Sequence, residues 1–353
     1  MPIIFASISI LMVGSTAYTE ENGFIINRDL IVQSGVYIVG YIAIFIMLRV
    51  DYAQLKKYPW VFYAASIALM LLVYTPLGVT QYGSRAWINV GITLAQPCEF
   101  VKITFTLWFA AYLDKHYEDI QHFVGLLKAA ALTLPVLGLV ALEDLGNALV
   151  FMFIVFIMIF AAGVNLKLFL KCTAAIIACV PVAYFLMKPH QRQRIDAFLN
   201  PDDRSLPGNY QVWNSKIAIG SGGLSGKGLF NGTQKSLEYL PVAKSDFIFA
   251  VIGEEFGFIG CTVVLAIYTI FVYRIIRIAK KAKEKFGTLV ATGFGAMFFF
   301  QIFENAGMTM GIMPVTGITL PFISYGGTSV LANMMILGIV LCIGSRSKVI
   351  FFK

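Results

Sequence analysis

The sequence predicts an all-α integral membrane protein with about ten transmembrane helices, a long extracytoplasmic loop and a re-entrant or broken-helix element. Three observations carry that prediction. Of 353 residues, 58% are hydrophobic and 13% charged, and the mean hydropathy is +0.79, outside the range of a soluble domain. Apolar runs of the roughly 20 residues needed to cross hydrocarbon recur along the chain. The net charge of +8 is spread over short connections, where it reports topology and points to membrane lipids as surroundings, with no nucleic-acid partner.

In chain order the spans centre near Ile10, Tyr41, Ile67, Leu107, Leu134, Phe153, Ile177, Val264, Phe298 and Leu337. The first lacks a preceding basic segment and is followed by many more spans, so it reads as a transmembrane helix and not as a signal peptide. Lys56 and Lys57 mark one cytoplasmic connection, Arg274, Arg277, Lys280, Lys281, Lys283 and Lys285 a second, and Arg346, Lys348 and Lys353 the tail. Both termini are then cytoplasmic. The Glu20/Glu21 loop, the Glu143/Asp144 loop and the segment 188–245 fall outside; the last is basic, but long loops cross largely regardless of charge. One polytopic domain over 1–353 is expected. The outer segment is too long for a plain connection, and Phe198, Tyr210, Trp213, Ile217 and Ile219 give it anchors for order. Cys98, Cys172, Cys179, Cys261 and Cys342 lack metal-ligand spacing and read as packing residues.

Polar chemistry gathers on the outer side. The stretch 81–102 runs from a turn through an amphipathic segment into a span. In it Arg85 is either an interfacial anchor beside Trp87 or a contact for a pyrophosphate. Glu99 and Lys102, three residues apart on a helix, can pair, as a structural bridge or in substrate binding. Asp144 opens an apolar helix, where a carboxylate favours the N-terminal dipole. GSGGLSGKG, 220–228, fails the Walker spacing, with Ser221 in place of the first glycine and Gly228 after Lys227. It is a flexible turn or a set of N–H groups that, with Lys227, meets a phosphate or sugar.

GIMPVTGITLPFISYGGTS, 311–329, is too apolar for a solvated loop. Irregular backbone at membrane depth is tolerated only where protein buries it or it lines a wet cavity. YLPVAKSDFIFAVIGEEFG, 239–257, places three carboxylates at or inside a hydrophobic run, where they are expensive and usually functional. On a continuous helix Asp246 shares a face with Gly253 and Gly257, while Glu254 and Glu255 lie about 12 Å further along. The two glutamates are assigned to interhelical pairing or polar packing, and Asp246 to the outer end of the span, within reach of water.

RAWINVGITLAQPCEFVK, EDLGNALV, QRQRIDAFLNPDD, NYQVWNSKIAIGSGGLSGKGLFNGTQ, LPVAKSDFIFAVIGEEFGFIG and NAGMTMGIMPVTGITLPFISYGGTSVL, in this order and spacing, resemble the SEDS family (shape, elongation, division and sporulation), typified by RodA and FtsW. The resemblance runs over nearly the whole chain, and the short ends lean toward the RodA type. It implies ten transmembrane helices and a peptidoglycan glycosyltransferase of the bacterial cytoplasmic membrane. Such an enzyme polymerises lipid II, a disaccharide-peptide on undecaprenyl pyrophosphate, at the outer face. It also implies a class B penicillin-binding protein, a transpeptidase, as partner. Asp246 matches the family's essential aspartate; Arg85, Glu99, Lys102, Asp144 and Arg194 match positions that line or support its central cavity. Four departures stand out: Val242 replaces the usual Glu, Lys244-Ser245 the usual His-Thr, Cys98 replaces Ser, and Glu143 replaces Pro. Lys244 would weaken Asp246 as a base if their charges met, although on a helix residues two apart do not face each other.

The implied reaction inverts an α-linked donor sugar to a β-linked product, so direct attack with Asp246 as general base is expected. Arg85, Lys102, Arg194 and Lys227, with a divalent cation (Mg or Mn) as candidate cofactor, would offset the charge on the departing pyrophosphate. Two other readings share these features: a lipid II flippase, since buried charges and broken helices are also transporter traits, and a noncatalytic scaffold for the transpeptidase.

Overall fold

A computed structural model describes residues 1–18, 27–81, 84–91, 94–206 and 208–346; Glu20, Glu21, Lys348 and Lys353 lie outside the described residues. Along the chain come α1 (Pro2–Thr16), α2 (Arg28–Arg49), α3 (Tyr52–Leu55), α4 (Pro59–Leu71), strands β1 (Gly78–Gln81), β2 (Ser84–Asn89) and β3 (Leu94–Ala95), and α5 (Pro97–Lys115). Then follow α6 (Phe123–Glu143), α7 (Leu145–Ala161), α8 (Leu166–Leu186), α9 (Pro189–Leu199), α10 (Asn209–Ser221) and α11 (Thr233–Ser236). The last three are α12 (Ile248–Lys281), α13 (Lys285–Thr309) and α14 (Gly327–Arg346). Each of the ten predicted centres falls inside a helix: α1, α2, α4 to α8, and α12 to α14. Among the described residues α2, α6, α12, α13 and α14 are long and apolar enough to cross a membrane by length and composition. The chain is a multi-pass membrane protein. Side chains such as Ile38, Ile42 and Phe45 on α2 and Phe258 and Ile259 on α12 are exposed, as suits helices whose solvent is hydrocarbon.

Local chemistry sets the helix ends. Pro59 and Pro97 stand at the first helical positions of α4 and α5, where a missing N–H costs nothing. Asn165 caps α8 through the Lys167 N–H, and Lys280 and Lys281 occupy the last turn of α12, where the helix dipole favours cations.

The chain forms two compact units: residues 1–43, 189–272 and 299–334 in the first, and 44–188, 273–298 and 335 onward in the second. The second contains a small antiparallel sheet in the order β1-β2-β3, with Gly78 opposite Ile88 and Ile88 opposite Ala95. The sequence reading of 81–102 as an amphipathic stretch missed these strands. They are two to six residues long, too short for alternation to stand out from an apolar background.

In the first unit, residues 311–326 between α13 and α14 carry no regular secondary structure, yet most of them from Thr316 to Ser324 are buried. Their carbonyls are satisfied by side chains. Asn305 donates to Ile318 O at 2.8 Å, Tyr268 to Pro321 O at 2.5 Å, Ser9 to Ile323 O at 2.9 Å and Gln33 to Ser324 O at 3.1 Å. The Tyr37 hydroxyl donates to Phe322 O. Phe322 has a φ of 65°, unusual for a bulky residue, and its ring stacks on Phe5 at 5.2 Å. The expected irregular element is therefore present and mostly buried by protein, and these donors explain how it is tolerated.

Candidate functional site

Asp246 lies in the turn that precedes α12, not on the helix. The sequence reading placed it on one face with Gly253 and Gly257, which the turn corrects. Three successive carbonyls explain why the helix starts later. Lys244 O accepts from the Tyr325 N–H at 2.8 Å, Ser245 O from Ser324 Oγ at 2.5 Å and Asp246 O from Asn305 Nδ2 at 2.8 Å. Phe247 O instead accepts from Ala250 N and Val251 N, beginning the helix.

The Asp246 side chain is half-buried and its Oδ2 faces Gly317. A Cβ on Gly317, whose φ is +75°, would stand 3.5 Å from that oxygen. The preceding residue, Thr316, gives its carbonyl to Arg194 Nη1 of α9 at 2.9 Å. Arg194 also borders a cavity of about 30 Å³ lined by Phe198, Trp213, Lys216 and Val315. Two of the predicted residues thus meet adjacent residues of the segment between α13 and α14, Arg194 at the buried Thr316 and Asp246 at the exposed Gly317. Lys244 forms an ion pair with Asp29 of α2 and lies 4.9 Å from the Tyr325 ring centroid, so its charge is answered by an acid other than the one beside it in sequence.

Lys227 has a different environment. Its ammonium donates to Glu254 Oε1 and to Thr233 Oγ1, both at 2.7 Å, and Glu254 also accepts from the N–H groups of Thr233 at 2.8 Å and Gln234 at 3.0 Å. Glu255 pairs with Lys235 and accepts from Ser15 Oγ at 2.5 Å. Both glutamates therefore serve pairing and polar packing, as their depth implied. Burial pushes the Lys235 ammonium below its ordinary pKa, and its hydrogen bond to Glu255 opposes that shift.

The glycine-rich segment repairs a break in α12. Gly257 adopts φ 64° and ψ −161°, a region essentially reserved for glycine, and the helix kinks there. A continuous helix would bond Phe258 N to Glu254 O and Ile259 N to Glu255 O. Instead Lys227 N and Gly228 N donate to the carbonyls of Glu254 and Glu255, both at 3.0 Å, while Phe258 N and Ile259 N donate to Gly223 O at 2.9 Å and Leu224 O at 3.1 Å. Two lost helix bonds become four. The N–H groups of Lys227 and Gly228, candidates for cradling a phosphate in the sequence, are committed to this exchange.

The second unit holds the other predicted residues. Arg85, on β2, donates its backbone N–H to Glu143 Oε2 and its guanidinium to Thr75 O, both at 3.0 Å. Glu143 also accepts from Tyr74 at 3.1 Å, and its carbonyl from Ser84 Oγ at 2.6 Å. The residue that departs from the family's proline thereby staples the sheet to the end of α6. Glu99 and Lys102 pair at 2.7 Å on α5, with side chains only 4% and 0% exposed. Asp144 caps α7, accepting from Asn147 N at 2.9 Å and Asn147 Nδ2 at 2.8 Å, and reaches Gln96 Nε2 at 3.1 Å. Its capping role is the one its position at the helix start implied.

Sequence reasoning did not single out Ser9, Gln33, Tyr37, Glu304 or Asn305, which hold the irregular segment. The available signal was their polarity inside otherwise apolar runs, since such groups are costly there and need partners. Among the described residues no three His, Cys, Asp or Glu side chains converge.

Residues 1–349 match the FtsW/RodA/SpoVE family, described as cell cycle proteins. The chain is 35% identical over 317 residues to the peptidoglycan glycosyltransferase MrdB of Escherichia coli K12, covering 88% of this chain and 86% of the relative. It is 33% identical to the stage V sporulation protein E of Bacillus subtilis, covering 98% and 95%, and 35% identical to the probable peptidoglycan glycosyltransferase FtsW of Geobacter metallireducens, covering 90% and 85%. Among solved structures it superposes with a TM-score of 0.82 on a chain from work on the coordination of polymerization and crosslinking by a peptidoglycan synthase complex, at 29% identity, covering 98% and 97%. It superposes with a TM-score of 0.69 on the Thermus thermophilus rod shape determining protein RodA, at 27% identity, covering 99% and 95%. With the match spanning every helix and both the Asp246 turn and the buried segment that faces it, the chain belongs to the FtsW/RodA/SpoVE family.

Proposed function

We propose that this chain is a peptidoglycan glycosyltransferase that polymerises lipid II at the outer face of a bacterial cytoplasmic membrane, with Asp246 as general base. The observation that carries the reading is the approach of the Asp246 carboxylate to Gly317, beside the Thr316 carbonyl that anchors Arg194. The relatives named peptidoglycan glycosyltransferases support the activity. The match to a chain of a peptidoglycan synthase complex supports a crosslinking partner, for which a class B penicillin-binding protein is the fitting class.

In the proposed step the Asp246 carboxylate takes the proton from an acceptor sugar hydroxyl as that oxygen attacks the donor's anomeric carbon. Attack from the face opposite the leaving group inverts the linkage. The bond to pyrophosphate breaks with its electron pair, and the leaving group departs as an anion without needing a proton. Of the cations proposed for it, Arg194 of α9 donates to the carbonyl of Thr316, the residue next to the Gly317 that Asp246 faces. Lys227 is neutralised by Glu254 and Lys102 by Glu99, so these two act through the framework. A half-buried carboxylate with backbone fixed at three carbonyls is pre-positioned for proton transfer.

The test is Asp246→Asn, which keeps shape and removes the base. Purified variant protein with lipid II and its transpeptidase partner should lose at least about 1,000-fold in strand synthesis, within the range general-base catalysis supplies, while unfolding at the wild-type temperature. Near-normal strand synthesis by the variant removes Asp246 from the chemistry.

A further inference from the structure

We propose that Glu304 and Asn305, neighbours on α13, are positioning residues for this reaction: together they hold the backbone of 316–318 against the Asp246 carboxylate. The inference rests on the reading of Asp246 as general base.

Both side chains are fully buried, near the C-terminal end of the apolar helix α13. Consecutive helix residues point about 100° apart, so the two reach different parts of the same segment. Glu304 Oε1 accepts from Thr316 Oγ1 at 2.9 Å. Asn305 Nδ2 donates to Ile318 O and to Asp246 O, each at 2.8 Å. An amide nitrogen has two N–H groups, and here one goes to the turn that carries the carboxylate and the other to the segment that faces it. Thr316, held by Glu304, is also the residue whose carbonyl anchors Arg194. The separation between the Asp246 turn and the anchored cation is therefore set from α13.

A packing role alone does not account for the pair. Glu304 Oε2 and Asn305 Oδ1 are buried without a hydrogen-bond partner among the described residues. An apolar residue of similar volume would avoid that cost and is often at least as stable in such a place. Residues 311–326 have no helix or ladder of their own, so the 316–318 backbone is held by side-chain tethers, these two together with Arg194. Displacements on the order of 1 Å at a reacting group cost about 100-fold in rate.

The experiment compares Glu304→Leu, Glu304→Gln, Asn305→Asp, Thr316→Val and Asp246→Asn as purified full-length protein, measuring initial rates of lipid II polymerisation with the transpeptidase partner present. Glu304→Leu, Asn305→Asp and Thr316→Val should lower kcat by 30-fold or more, roughly the scale expected of a misplaced reacting group, with KM within about threefold. Glu304→Gln keeps an acceptor for the Thr316 hydroxyl and should recover most of kcat relative to Glu304→Leu. Thr316→Val is isosteric and outside the helix, so it reads the tether even where Asn305→Asp fails to fold. The inference is overturned if Gln and Leu at 304 are equally impaired, if Thr316→Val retains wild-type kcat, or if the losses lie in KM. Asp246→Asn separates the two levels. If it is inactive while the tether variants turn over normally, only the positioning role falls; if it polymerises normally, the general-base reading falls and the inference with it.

Discussion

Lys102 is an ammonium with no exposed surface, and its partner Glu99 is almost as enclosed. A pair of this kind contributes little by existing, because desolvation offsets attraction, but removing one member strands a charge. Lys102→Met should therefore destabilise the protein by about 3–5 kcal/mol, whereas Lys102→Arg should cost much less; thermal unfolding in detergent measures both. If Lys102→Met unfolds at the wild-type temperature, the pair is not the structural unit its burial implies. That Glu99 and Lys102 pair was legible from their spacing, and so was the cap at Asp144. How deeply the pair is enclosed was not, because burial is a property of tertiary packing. Asp246 shows the limit most clearly. Its identity as the acid of interest was legible, but its local structure was read as helix. Donors from Tyr325, Ser324 and Asn305, some 60 to 80 residues away, capture the carbonyls of 244–246, and no local pattern reports them.

At the scale of elements, helix existence and centres followed from hydropathy, since any run long enough to cross hydrocarbon must satisfy its backbone internally. Features that depend on a second segment were hidden. The strands at 78–95 require one another, and the break in α12 requires the glycine-rich loop. Gly257 holds the kink at a backbone conformation that a side chain resists, and an added Cβ would lie 2.4 Å from Gly226 N and 2.6 Å from Leu224 O. Gly257→Ala should cost at least about 1–3 kcal/mol from backbone strain alone, with a further loss as the loop is pushed away. The observable is a lower unfolding temperature together with faster proteolysis between α10 and α11. A variant as stable as the parent would mean the bend relaxes without the loop.

For the whole molecule, the cations at Lys280, Lys281, Lys283 and Lys285 predict, by the positive-inside rule, that the connection between α12 and α13 is cytoplasmic. In a cysteine-free background, Asp202→Cys should react in intact cells with a membrane-impermeant thiol reagent, and Lys283→Cys should react only after the cells are opened. The reverse pattern would invert the topology and put Asp246 on the wrong face for a lipid-linked precursor presented outside. The fold class and the family could both be read from the chain because each draws on patterns spread along its length. The division into two compact units, each assembled from three separate stretches, could not, because no change in composition marks its boundaries.

The crossed amide bonds between 223–228 and 254–259 also limit how this chain can vary. An exposed connection ordinarily absorbs an extra residue at small entropic expense. Here each N–H is matched to one carbonyl across the bend, so a single insertion would slip the partners out of step and leave polar backbone groups unmatched. This stretch can trade side chains, but its length is as tightly prescribed as the stagger of a hairpin.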